Sequence, residues 1–218
     1  MKLLSSVQMR DIDRYAIEKL GIKGAVLMSN AAEHIAVAAM EKLPPDAQAA
    51  VICGTGNNGG DGIGAAAIMI EKGAQVRVFL VGKEEKLTSD SKEMLRRLSA
   101  LGGILEPIDF SCDFKEYIQG CRVIIDAIFG IGLNSDLRGS ALMAAETVNA
   151  SGAFVIAADI PSGVNADTGA IQGGAVKANI TVTFSLAKPG HFIEPGSSCC
   201  GELRVCDIGI PASLFSQT

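Results

Sequence analysis

The segment GTGNNGGDGIG (54–64) places two amides, Asn57 and Asn58, and a carboxylate, Asp61, among glycines. It lies between the apolar run AAVIC (49–53) and the segment AAAIMIEKG (65–73). Gly54, Gly56 and Gly59 spell the G-x-G-x-x-G of a dinucleotide loop, but the spelling departs from that fingerprint in two ways. Asp61 is expected where the following helix presents free N–H groups, so its carboxylate would repel a pyrophosphate there. The second strand ends in VGKEE (81–85), with no acid at the position roughly 20 residues on that would hold a ribose. An ordinary NAD cofactor site is therefore disfavoured. Asn57, Asn58 and Asp61 suit hydroxyls or a hard cation, while Gly59 and Gly60 are expected to let a ligand approach the backbone.

Two more polar loops follow apolar strands: DAIFGIGLNSDLRG (126–139) and DIPSGVNADTG (159–169). Gly130 and Gly132, in an irregular turn, are candidates for binding phosphate through backbone amides. Asp126 and Asp159 each close a strand, where a carboxylate serves either as a cap for the next element or as a site residue. Lys188, a few residues beyond a later strand, is open to the same two readings, solvated loop lysine or functional cation. Ser162 is no nucleophile elbow, because G-x-S-x-G is absent and no histidine is near it in sequence. His34 and His191 carry little weight, and two histidines with unpaired cysteines do not make a zinc site.

The elements that must position these groups alternate. A capping box at Ser5 and Gln8, with Met9, Ile12, Ala16 and Leu20 at helical spacing, predicts a helix over 6–20. An alanine-rich helix follows over 24–43, stopped by Pro44-Pro45. Strands are expected at 49–53, 75–81, 103–108, 122–126 and 154–159. Helices are expected up to Lys72 and across 88–101, 113–119 and 139–150. Further strands at 179–184 and 201–209 extend one edge. This is an α/β chain, a Rossmann-like doubly wound three-layer α/β/α arrangement with a mostly parallel central sheet and extra edge strands near the C-terminus. It reads as a single domain over 1–218, with N-terminal helices (6–43) packed on the sheet domain (49–210). In a sheet of order 3-2-1-4-5 the ligand crevice lies beyond strands 1 and 4, where all three loops converge. KPGHFIEPGSSCCG (188–201) is expected to be an ordered loop over the site.

Composition excludes several classes. The chain has 218 residues, 48% hydrophobic and 20% charged, with formal net charge −5. It shows no cationic surplus or cluster for nucleic acid or an anionic membrane. Arg10, Asp11, Asp13 and Arg14 interrupt the N-terminus where a secretory signal needs an apolar segment, and no run reaches the ~18 to 20 apolar residues of a membrane span. The expectation is a soluble, cytoplasmic protein acting on a small molecule. The six cysteines (Cys53, Cys112, Cys121, Cys199, Cys200 and Cys206) include no C-x-x-C pair. They read as reduced and mostly buried, with Cys199 and Cys200 as candidate exposed thiols.

Taken together, GTGNNGGDG, DAIFGIG, ADIPSGVNADTG and ANITVTFSLAKPG resemble the motifs of the NAD(P)H-hydrate epimerases, in order. MRDIDRYAIEKLGIKGAVLMSNAA (9–32) is similar to that family's N-terminal helices, so the resemblance covers nearly the whole chain. One departure is Ser29, where family members often carry Glu before Asn, with a subunit contact or a helix end as the feature it would alter.

The resemblance implies that NADHX and NADPHX, hydrated at C6 of the reduced nicotinamide ring, are substrate rather than cofactor, and that their R and S forms are interconverted. It implies ligand contacts from Asn57, Asn58, Gly59, Gly60 and Asp61, from Gly130, Ile131, Gly132, Leu133, Asn134, Ser135 and Asp136, and from Asp159. It also implies a potassium ion (K+) held by Asn58, Asp126 and Ser162, which physically are hard oxygen donors. Asp159 is the candidate acid/base and electrostatic group, with Lys188 as its partner. The partner enzyme would be an ADP- or ATP-dependent NAD(P)H-hydrate dehydratase, in some relatives fused to this domain, and a homodimer is expected. The alternative is a catalytically silent nucleotide-binding or protein-interaction module of the same fold.

Overall fold

The computed structural model describes residues 2–108, 110 and 112–215. Seven strands form one sheet in the order β3-β2-β1-β4-β5-β6-β7. They are β1 (Gln48–Cys53), β2 (Gln75–Leu80), β3 (Leu105–Pro107), β4 (Val123–Ala127), β5 (Phe154–Ala158), β6 (Ile180–Phe184) and β7 (Glu202–Cys206). Every pairing is parallel. The central strands β4 and β6 are buried along their whole length, as expected of parallel strands covered on both faces. Within β1 the alternation decides the face: Ala49, Val51 and Cys53 join one core, Ala50 and Ile52 the other.

Winding reverses between β1 and β4, where Ile52 pairs with Asp126 and Cys53 with Ala127. Asp126 in turn pairs with Ala157, and Ala158 with Val182, so the ends of β1, β4, β5 and β6 stand in line. This registration brings the polar loops to one edge.

The layer over the first core contains α1 (Ser6–Glu18), α2 (Gly24–Met40), α3 (Asn57–Glu71) and α4 (Ser89–Ala100); α5 (Cys112–Gly120) and α6 (Gly139–Ala150) cover the second. The capping box of α1 is present: the Gln8 N–H donates to Ser5 Oγ and the Ser5 N–H to Gln8 Oε1. Its first turn is tied to the 159–169 loop, with the Ser6 N–H and Oγ–H both donating to the Asp167 carboxylate at 2.6 Å. That link orients α1 so that Met9 and Asp13 reach the crevice.

Several expectations are corrected. Leu20 lies beyond the end of α1 and is exposed, because the helix closes at Glu18 before Gly21 turns the chain with φ 70°. The 201–209 strand is only Glu202–Cys206. The segment 188–201 is ordered, as a 3-10 turn at Pro189–His191 followed by the one-turn α7 (Ser197–Cys200), but does not cover the site: of its residues Lys188 alone lines the cavity. Cys199 and Cys200 are buried, not exposed. The side chain of Cys112 lies outside the described residues, and the other five cysteines are free thiols. Ser29 sits in the middle of α2 rather than at a helix end, its hydroxyl donating to the Ala25 carbonyl at 2.8 Å.

The asparagine-glycine motif is the largest correction. Residues 57–61 are not a loop but the opening of α3, with Gly56 at its N-cap. Asp61 is thus one turn inside the helix, away from the free N–H groups, which belong to the residues before it. The sides of Gly59 and Gly60 on which a side chain would stand are packed against protein. A Cβ on Gly59 would stand 1.9 Å from the Gly54 carbonyl oxygen, and one on Gly60 would stand 2.6 Å from Met28 Sδ. The helix needs glycine here because it packs against backbone on one side and α2 on another. Replacing Gly59 with alanine gains at most about 1 kcal/mol of helix propensity. The contact with a main-chain oxygen that has no room to retreat outweighs it, at about 1 to 3 kcal/mol. Gly59→Ala should therefore show a net loss of stability in urea denaturation; a gain would mean that the contact with Gly54 is absent.

Candidate functional site

Beyond the ends of β1, β4, β5 and β6 lies a cavity of about 570 Å3, within the range of small-molecule sites. Asn57, Asn58 and Asp61 of α3, Gly130, Ile131 and Gly132 after β4, Asp159 after β5 and Lys188 after β6 all line it. Strand β5 ends one residue before Asp159, which takes the left-handed conformation, φ 67°. That is an uncommon state for a residue with a side chain, costing about 1 to 3 kcal/mol, and surrounding contacts must enforce it.

Those contacts are visible. The Asp159 N–H donates to the Val182 carbonyl at 2.7 Å. On the other side, His191 Nδ1 accepts from the Lys188 N–H at 3.0 Å, so its proton must be on Nε2, which donates to the Asp159 carbonyl at 2.9 Å. The imidazole is neutral: burial and the Lys188 charge push its pKa down to about 4, against a smaller upward pull from Asp159. His191 therefore works as a fixed strut between the two ends of an ion pair.

The pair is Lys188 Nζ and Asp159 Oδ1, 2.6 Å apart, with the side chains 2% and 10% exposed. Thr183 donates to the same Oδ1 at 3.0 Å and accepts from Nζ at 2.8 Å, and the Phe184 carbonyl lies 3.3 Å from Nζ. All three ammonium protons have partners. Asp159 Oδ2 receives only a long bond from the Ile131 N–H, 3.3 Å, and is the oxygen left for a ligand. Burial pushes the Asp159 carboxyl up, but the Lys188 charge and hydrogen bond, helped by His191 and Thr183, bring it below its ordinary value. It is an anion at neutral pH.

Other predicted residues fall at different depths. Asp126 and Ser162 are fully buried beneath the cavity and do not line it. Ser162 gives both its N–H (2.8 Å) and its hydroxyl (2.6 Å) to the Asp126 carboxylate, which also receives the Ile128 N–H at 3.3 Å. Burial raises the Asp126 pKa to about 6 in spite of those hydrogen bonds. Leu133, Asn134, Ser135 and Asp136 do not line the cavity; Asn134 to Asp136 are exposed on the surface beyond it. The structure thus brings Asn58, Asp159 and Lys188 together and puts Asp126 one layer below.

Among the described residues no group of three or more His, Cys, Asp or Glu side chains could hold a metal. A weakly hydrated monovalent cation needs only oxygen donors, and one is waiting: Asn58 Oδ1 is buried without any hydrogen-bond partner, as is its Nδ2. A Cβ on Gly130 would lie 3.0 Å from both Asn58 Oδ1 and Asp159 Oδ2, so glycine there keeps the amide and the carboxylate adjacent. The donor types fit a cation such as K+, with Asn58 unspent and Asp126 charged but lacking any cationic partner among its hydrogen bonds.

Sequence reading missed Thr183, His191 and Asp13. Thr183 looked like an ordinary β-residue, and the neighbours of His191 in sequence hold nothing that foretells its contact with residue 159. Asp13 was legible only as a charge excluding a signal peptide. In the structure it lines the cavity from α1, with Oδ1 buried and unpartnered.

These features define a class: an α/β domain whose switch-point cavity is floored by a buried lysine–carboxylate pair. Residues 24–190 match the family described as YjeF-related protein N-terminus. The chain is 38% identical over 208 residues to an NAD(P)H-hydrate epimerase of Oenococcus oeni, covering 95% of this chain and 96% of that protein. It is 40% identical over 220 residues to the bifunctional NAD(P)H-hydrate repair enzyme Nnr of Thermofilum pendens, covering all of this chain and 42% of that one. The chain therefore spans less than half the length of its bifunctional relatives. The crystal structure of yeast ynu0 superposes with a TM-score of 0.86 at 23% identity, covering 100% of this chain and 93% of that one, and so shares the fold. The chain belongs to the YjeF-related N-terminal family, that of the NAD(P)H-hydrate epimerases its motifs resemble.

Removing one partner of the buried pair strands the other's charge. Lys188→Met should cost about 3 to 5 kcal/mol at pH 7. Because Lys188 holds the Asp159 carboxyl below its ordinary value, the pair's contribution is present above the unfolded carboxylate range and is lost as pH falls through the folded value. Without the lysine, burial is opposed only by the weaker effects of His191 and Thr183 and the carboxyl pKa rises, so the variant's deficit should shrink between pH 7 and pH 5. Equal deficits in urea denaturation at the two pH values would show that Asp159 does not depend on Lys188 for its charge.

Proposed function

We propose that this protein interconverts the R and S forms of NAD(P)H hydrate at C6 of the nicotinamide ring, the dinucleotide being substrate. The observation that carries the reading is Asp159: a carboxylate held ionised by Lys188, with Oδ2 turned to a cavity of suitable size at the switch point. The names of its near-full-length relatives support it. The reaction must break and remake a bond at C6, either by losing the hydroxyl to leave an iminium-like ring or by opening the ring to a carbonyl. In both routes a proton moves at the C6 oxygen and positive charge develops nearby.

Asp159 Oδ2 supplies a fixed negative charge facing that centre and a proton acceptor. Lys188 keeps the carboxylate ionised and, with Thr183 and His191, stops it turning. The free N–H groups at the start of α3 and the turn at Gly130 and Gly132 are suited to a pyrophosphate. A potassium ion held by Asn58, Asp126 and Ser162 would supply a fixed positive charge that anchors phosphate or ribose oxygens. A dehydratase acting on one epimer, driven by ADP or ATP, is the natural consumer of the product. The exposed Tyr15, Val26 and Val37 on the first two helices suit a homodimer contact. No helix among the described residues is long and apolar enough to cross a membrane, which suits the cytoplasm.

Incubating pure R-epimer with the protein and separating the products by chromatography should show the S form accumulating. Asp159→Asn should slow this by about 10² to 10⁴-fold. Unchanged turnover in a folded Asp159→Asn protein would remove the carboxylate from the chemistry. Exchanging K+ for Na+ should weaken ligand affinity more than it changes the chemical step; identical affinity in both salts would rule out the cation site.

A further inference from the structure

The cavity contains more acid than the Asp159–Lys188 pair accounts for. Asp61, from the second turn of α3, and Asp13, from α1, also line it, so three carboxyl groups share one ammonium. That ammonium is spent, its three donors committed to Asp159, Thr183 and Phe184. Among the described residues no hydrogen bond reaches the Asp61 carboxyl, although the residue is buried, and Asp13 Oδ1 is buried and unpartnered. The other charged groups facing this wall are Arg10, on α1, and Asp90, at the start of α4. Arg10 is directed to Ser6 Oγ, 3.4 Å away, and Asp90 adds a further negative charge. Among the described residues no cationic side chain is committed to either carboxyl, and like charges in a desolvated space cannot all ionise.

The consequence is a division of protonation states. Burial, then the charges of Asp159 and Asp13, raise the Asp61 pKa well above the ordinary carboxylate range, against a smaller lowering by Lys188. Burial and Asp159 raise that of Asp13 to about 6, again against Lys188. Two environments in one pocket that drive carboxyl groups apart are the usual arrangement of an acid and a base.

We propose that Asp61 is the proton donor to the C6 oxygen, and that Asp13 is a positioning residue that sets Asp61 for this task by placing a second carboxyl against it. This rests on the epimerase reading and deepens it, since that reading needs a donor and gives Asp159 the opposite role. In the hydroxyl-loss route, Asp61 O–H transfers its proton to the C6 oxygen as the C6–O bond breaks. The bonding pair leaves with the oxygen as water, the N1 lone pair forms the N1=C6 bond, and Asp61 is left as carboxylate. Water then adds to the other face of C6, the N1=C6 π pair returns to N1, Asp159 Oδ2 takes the proton lost by that water, and exchange with solvent frees Asp159 and restores the acid on Asp61.

The test is the pH dependence of single-epimer turnover in potassium buffer for the wild type, Asp13→Asn and Asp61→Asn, alongside carboxyl carbon-13 titration of the same proteins labelled at aspartate. In the wild type the rate should fall on the alkaline side as Asp61 loses its proton. Asp13→Asn should move that limb to lower pH by about one unit or more, cutting kcat along the limb by about tenfold, with little change in KM and recovery of the rate on its acid side. Asp61→Asn should lose about 10²-fold or more at every pH. The titration should show one aspartate that keeps its proton above pH 6, lost in Asp61→Asn, and two that titrate near pH 6, Asp13 and Asp126, of which one is lost in Asp13→Asn. An alkaline limb unmoved by Asp13→Asn, or every aspartate ionised by pH 5, overturns the proposal. A wild-type protein that leaves the R-epimer untouched removes the epimerase reading and the donor role with it, whereas activity without a shifted limb removes only the donor assignment.

Discussion

Lys188 carries its charge to a depth where almost no water reaches it, and the surrounding structure replaces that water group by group. A carboxylate, a hydroxyl and a main-chain carbonyl take the three ammonium protons. An ammonium buried without such partners would lose its proton or unfold the region around it. Each partner comes from the C-terminal end of a neighbouring strand: Asp159 from β5, Thr183 and Phe184 from β6. The ion pair and the strand register therefore depend on each other, because a one-residue slip of β6 would turn Thr183 to the other face.

From that constraint follow the features on which chemistry depends. Asp159 is held in a backbone conformation it would not choose, with a neutral His191 as strut, so one carboxylate oxygen is fixed toward the cavity and the other away from it. With the one ammonium consumed there, the remaining acids Asp13 and Asp61 face the cavity without a cation. The fold thus sets an anion, Asp159, and an acid that keeps its proton far above the ordinary carboxylate range, Asp61, in a single space using only aspartates, the difference lying in which of them the lysine reaches.

Much of the architecture is legible in the pattern of residues. Alternating β-branched runs and helical segments sufficed for the parallel sheet, its order across the switch point and the two added edge strands, since these follow from local periodicity and the handedness of crossovers. The capping box at Ser5 was legible for the same reason: it is made by residues three apart. What misled was the glycine motif. Its composition suggested a ligand-cradling loop, yet the chain closes it into the first turn of α3, where Gly59 and Gly60 serve contacts with Gly54 and Met28. Glycine is needed equally for close approach to a ligand and for close approach to the protein's own backbone, and the sequence does not distinguish them.

The amino-acid order by itself determined the sheet, the edge at which polar loops gather, and the chemical types available there, because each rests on interactions within a few residues or on rules common to all parallel sheets. Only the tertiary structure decided which aspartate is charged. Asp13, Asp61, Asp126 and Asp159 carry the same side chain, and their differences come from burial and from the distance to a single lysine, quantities set by segments up to 175 positions apart in the chain, as for Asp13 and Lys188 (188 − 13). Electrostatic energy depends on separation in space and on what fills the space between, and neither is written in the order of residues.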